Sequence, residues 1–243
     1  MTVAFVPSAE SILHSLHQVH MQRQRRNSVA GLEAAVGRIK AYQQQRFSHT
    51  YADLLSSPRY GGAARFFLEE LYGPRDFSER DAQFARVVPA LVKLFPQEIV
   101  ATVHTLAELH ALSERLDTAM GEAHPSKALT ANSYASAWRQ VGRAPEREQQ
   151  ITLTLVLGQA LDRLTRKPLL RQSLRLMRGP ARAAGLDQLQ TVLESGFDTF
   201  HAMRGADEFL NTVATRERAL AAALFGAAGS DASLVASLPL QAV

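Results

Sequence analysis

With eight histidines and no cysteine, the chain leaves proton transfer and metal ligation to imidazoles and carboxylates. His110 stands one helical turn before Glu114 and two before Asp117, a spacing that brings carboxylates to an imidazole on one helix. That pattern suits a base with an orienting acid, or half of a metal site. It equally suits a core-facing histidine satisfied by one hydrogen-bond partner, which is the commoner arrangement. Asp198-x-x-His201 has the carboxylate–imidazole spacing of dinuclear helical bundles, but such sites use it twice. No other Asp or Glu here precedes a histidine by three. His14, His17 and His20 follow one another at single turns, with His20 rotated away from His14 and only Glu10 nearby, as on an ordinary amphipathic helix. Glu69 and Glu70 complete the candidates: with His110 and His201 they could line a small-molecule or metal cavity inside a bundle.

Positive charge is densest from Arg163 to Leu186, where seven residues are basic and none acidic. In a helix opening at Pro168, Arg171, Arg175 and Arg178 line one side, while Leu169, Leu170, Leu174, Leu176 and Met177 cover the other. Such a stripe can meet an acidic protein, a phosphate, a nucleic acid or a membrane surface. It can also be a solvated face whose arginines pair with carboxylates elsewhere. The run holds no aromatic residue, so unpaired bases find no stacking platform and a membrane interface no anchor.

Helices must position these residues. Ser8 or Ser11 caps a first helix through Ile12, Leu16 and Val19, and the basic cluster Arg23, Arg25, Arg26 follows it. Leu32, Val36 and Ile39 define a second, and Tyr51 to Leu55 a single turn. Pro89 falls inside a long helix through Phe84, Val88 and Leu91, where a kink is expected. Pro96 opens another that extends to about Gly121, and Thr130 or Asn132 opens the one bearing Tyr134 and Trp138. Ile151 to Leu157 alternates like a strand, but its length and neighbours assign it to a helix. Gly179-Pro180 breaks the basic stripe, and two further helices run through Leu189 to Phe200 and Ala206 to Phe225. The expected fold class is all-α: a single irregular multi-helix bundle of about nine or ten helices over residues 9–226. An irregular segment, 1–8, precedes it, and an Ala/Ser/Gly-rich tail, 227–243, expected to be mobile, follows.

The sharpest local instruction lies between Arg65 and Asp81. Phe66, Phe67, Leu68, Leu71 and Tyr72 leave only the face of Glu69 and Glu70 polar. Gly73 suits a left-handed helix end and Pro74 stops the helix; Asp76 then offers an N-cap, with Glu79 as the returning half of a capping box. Glu69, Glu70, Arg75, Arg80 and Asp81 make this either a charged site or a corner of mutually paired side chains. The run Phe66-Phe67-Leu68-Glu69-Glu70-Leu71-Tyr72 resembles the signature of the bacterial FFLEELY-motif family, in which Gly-Pro-Arg-Asp-Phe and an Arg-Asp pair follow as they do here. The likeness runs from Ser28 to Leu224 and is densest from Arg65 to Pro96. It implies a helical protein of the bacterial cytosol and carries no catalytic residues across.

Composition narrows the function classes. A net charge of +4 is a mild basic excess that bears on solubility rather than on a particular partner. The lack of cysteine excludes disulfides, thiolate metal sites and cysteine nucleophiles. No secretory leader is expected from Met1 to Ser11, and no apolar run is long enough to span a membrane. Phosphate-binding glycine loops, G-x-S-x-G elbows and H-E-x-x-H helices are missing. We therefore expect a cytoplasmic, non-enzymatic interaction protein whose basic helix meets an acidic or otherwise anionic partner, with homo-oligomerisation open. A ligand-enclosing bundle and a nucleic-acid binder on the same stripe are the alternatives. No catalytic residue, metal or cofactor is expected.

Overall fold

Ser8 opens the first helix with a reciprocal cap: its hydroxyl accepts from the Ser11 amide at 3.2 Å while Ser11 Oγ accepts from the Ser8 amide at 3.1 Å. The computed structural model describes residues 6–70, 78–124, 129–227 and 229–239, with the side chains of Glu70 and Pro168 outside that description. In chain order the helices are α1 (Ala9–Ser28), α2 (Leu32–Thr50), α3 (Ala52–Ser56), α4 (Gly61–Glu70), α5 (Ser78–Leu94), α6 (Gln97–Ala123) and α7 (Ala131–Val141). Then come α8 (Ala144–Thr165), α9 (Pro168–Leu176), α10 (Arg178–Ala183), α11 (Asp187–Met203), α12 (Asp207–Phe225) and α13 (Ser233–Ala236). Ten of these have nine residues or more, in line with the expected bundle; α3, α10 and α13 are short additions. The described residues contain no extended strand, and none of their helices is long and apolar enough to cross a membrane.

α6 is the pillar, meeting α1, α2, α5, α7 and α8. Gly121 lets α2 come close: a Cβ there would lie 2.6 Å from Val36 Cγ2. Three apolar clusters surround this axis. Ile12, Leu16, Val88 and Val100 join α1, α5 and α6. Tyr42, Met120, Tyr134, Trp138 and Leu224 join α2, α6, α7 and α12. The third cluster is built on the phenylalanine-rich helix α4. Phe67 lies 5.9 Å from Phe200 and 5.7 Å from Phe209, ring to ring, and the Phe66 ring rests where any side chain at Gly196 would stand. Leu71, Tyr72, Gly73, Pro74, Arg75 and Asp76 lie outside the described residues.

Ile151 to Leu157 is helical within α8, which packs against α6, α11 and α12 and leaves Thr152 and Val156 exposed. The break in the basic stripe falls earlier than Gly179. α9 ends at Leu176 and Arg178 begins α10, because the Pro180 ring would collide with the Leu176 carbonyl in a continuous helix. After α12, Leu238 is buried in the cluster of Tyr42 and Trp138, and Tyr42 Oη donates to the Pro239 carbonyl at 2.9 Å.

Candidate functional site

α9 and α10 lie against α11 through half-buried Leu170 and Leu174 and buried Ala181. Two of the three stripe arginines are turned to the same side. Arg171 Nη2 sits 2.9 Å from Asp198 Oδ1, and Arg178 Nε donates to Glu194 Oε1 at 2.6 Å with its Nη2 on the second oxygen. The Arg178 guanidinium holds the Glu194 carboxyl down at about 2. Arg175 is exposed and adds to the field at Glu194 without closing an ion pair among the described residues. Arg163 and Arg182 are likewise exposed and, among the described residues, unpaired. Arg166 and Lys167 are engaged by Asp162 and Glu98. On the side of α9 away from α11, Leu169 and Leu176 stand two turns apart and are 73% and 79% exposed. Met177, next in the chain to Leu176, and Leu193 of α11 are also exposed.

Among the described side chains, the expected liners His110, His201 and Glu69 have separate settings. His110 is mostly buried on α6, but its partner comes from another helix: Nε2 lies 2.8 Å from Asp81 Oδ2 of α5, which also accepts from Arg23 Nη2 of α1 at 2.7 Å. Burial pushes the Asp81 carboxyl up, yet His110 and Arg23 outweigh it and leave it below its ordinary value. His201 is exposed on α11, stacked on Phe197, with Nδ1 donating to the Thr165 carbonyl at 3.0 Å. Glu69 is exposed near the end of α4, and the Glu70 side chain lies outside the described residues. Glu79 accepts from Gln188 at 3.2 Å. No group of three His, Asp or Glu residues able to hold a metal occurs among the described residues.

The interior holds charged groups that local sequence reasoning missed. Arg26, of the basic cluster that follows the first apolar stripe, is 3% exposed; its Nη2 meets Glu114 and its Nε donates to Thr118 Oγ1 at 2.9 Å. Lys40 Nζ reaches the other Glu114 oxygen at 2.5 Å. Burial raises the Glu114 pKa, but Lys40 and Arg26 overcome it and set it at about 2. Asp117, one turn on, accepts from Gln43 Nε2 at 3.0 Å, and there burial wins, leaving its carboxyl above the ordinary value. Arg46 meets Glu217, which also accepts from Tyr51 Oη at 2.8 Å. A signal existed: Arg23 and Arg26 continue the stripe of Ile12, Leu16 and Val19, and Arg46 continues that of Ile39 and Gln43.

No curated protein and no solved structure matches this chain. Residues 22–231 match the model of a domain of unknown function, DUF8198, and the chain belongs to that family.

Proposed function

We propose that this protein is a non-enzymatic docking protein whose α9–α10 face receives an acidic, amphipathic segment of a partner protein. The outward pair Leu169 and Leu176 carries the reading. Three of the ten large apolar side chains left exposed over the described chain, these two with Met177, fall between Leu169 and Met177. A partner that buries such a leucine gains about 1.5–3 kcal/mol from it. Exposed Arg175 precedes Leu176 in the chain, and exposed Arg163 and Arg182 lie on the helices before and after α9, so carboxylates bordering an apolar stripe are the complementary chemistry. Resemblance to the FFLEELY-motif family supports a bacterial cytosolic setting.

Gln172 is exposed between the two leucines and suits a photo-crosslinking residue introduced in a bacterial host. The expected result is one protein adduct whose crosslinked peptide is acidic and amphipathic, lost on combined Leu169→Ser and Leu176→Ser substitution and weakened by salt. Adducts to nucleic acid or lipid, or a protein adduct indifferent to the leucine changes, would show the reading to be wrong.

A further inference from the structure

A chamber of about 40 Å³ lies inside the bundle, walled by α2, α7, α8 and α12. One water needs roughly 10–15 Å³ on this scale, so the chamber has room for about three waters, or an organic acid of about four to six heavy atoms. Its walls differ in kind. α12 presents Val213, Leu220 and Leu224, whereas α7 and α8 present Trp138 and Arg147. The Arg147 guanidinium, itself buried, lies over the Trp138 ring at 4.3 Å and donates from Nη1 to Gln150 Oε1 at 3.0 Å. Glu217, the carboxylate of the lining, is engaged by Arg46 and Tyr51. Trp138 Nε1 is buried without a hydrogen-bond partner among the described residues, a costly state for a donor. Ile151 of α8 and Ala221 of α12 also line the chamber, and both are partly exposed.

We propose that this chamber binds a short-chain carboxylate, its carboxyl group met by Arg147 and the Trp138 indole N–H and its alkyl end laid on Val213, Leu220 and Leu224. Planar guanidinium donors match a carboxylate, and the apolar wall gives the remainder of the molecule a dry surface. A wholly polar anion such as orthophosphate would leave oxygens against that wall without hydrogen bonds.

Trp138 is the chain's one tryptophan and therefore a built-in reporter. Titrating the full chain with propionate or butyrate at constant ionic strength should change its fluorescence saturably, while orthophosphate should not. Arg147→Gln should weaken the response about tenfold or more, the worth of one charge-assisted hydrogen bond. Because that change touches a buried residue, Ala221→Phe gives a second test: from a partly exposed lining position it fills the chamber without altering the buried charges, and it should abolish the response with the helical circular dichroism retained. A saturable response that survives Ala221→Phe, an equal response to orthophosphate, or no saturable response in the unaltered protein overturns the proposal.

Discussion

Glu114 neutralises two cations at once in the middle of the protein, and that makes it the most consequential side chain of the interior. Glu114→Gln leaves Arg26 and Lys40 without their carboxylate, and breaking a buried pair from one side costs about 3–5 kcal/mol. Urea unfolding should show it as a lowered midpoint at unchanged slope. The acid limb follows from the same residue. Unfolded, Glu114 titrates near 4.5; folded, at about 2. Between those values the unfolded chain binds the extra proton, so the stabilisation is complete above 4.5 and is lost as pH falls toward 2. Asp117 runs in the opposite sense. Its folded pKa lies above 3.8, so the native state holds the proton more tightly and stability declines as pH rises from 3.8 through the folded value. Asp117→Asn fixes the neutral form. It should therefore be more stable than the unaltered protein near pH 8, with the difference closing toward about pH 4. A variant less stable near pH 8 would mean that the ionised carboxylate is the favoured partner of its surroundings.

Two helical glycines carry opposite expectations at the level of elements. A Cβ at Gly37 meets nothing within 4 Å, so Gly37→Ala should stabilise α2 by about 0.5–1 kcal/mol through the reduced freedom of the unfolded chain. At Gly121 the added methyl would press on Val36 Cγ2 at 2.6 Å and on the Val36 backbone nitrogen at 3.2 Å. α2 and α6 would have to part, at about 1–3 kcal/mol, and paired thermal melts of the two variants should move in opposite directions. The helices themselves are legible from sequence because their signals are local: the Ser8 and Thr130 caps, the proline before α6, the apolar spacing of α1 and α11. Which helix meets which is not local. The two carboxylates on His110's own helix suggest themselves by spacing, yet Asp81 of α5 is the partner, because only packing brings α5 alongside. Arg171 and Arg178 read as one free stripe until α11 supplies Asp198 and Glu194. In α8 the alternation of Ile151 to Leu157 sits within a longer helical pattern, exposed at Glu148, Thr152, Val156, Gln159 and Arg163, that a seven-residue window is too short to show.

For the whole molecule, Leu238, beyond α12, is a core residue. Leu238→Ala should cost about 2–5 kcal/mol and alter Trp138 fluorescence, since both side chains belong to one apolar cluster. A change that left stability and emission untouched would place Leu238 outside that cluster in solution. The tie between α2 and α12 has a temporal side as well. Arg46 and Glu217 are 171 residues apart, and Tyr42 and Pro239 are 197 apart. At roughly 5–20 residues per second, a ribosome takes roughly 10–30 s to deliver Glu217 after Arg46 has been made. Throughout that interval α6 can already cover Val36 and Gln43, but the side of α2 that bears Arg46 and Phe47 lacks its α12 partners and stands open to whatever the cell offers. Ribosome-bound chains stopped before α12 should therefore be cleaved readily by protease and should recruit holding chaperones, and both sensitivities should disappear once the last helix has emerged.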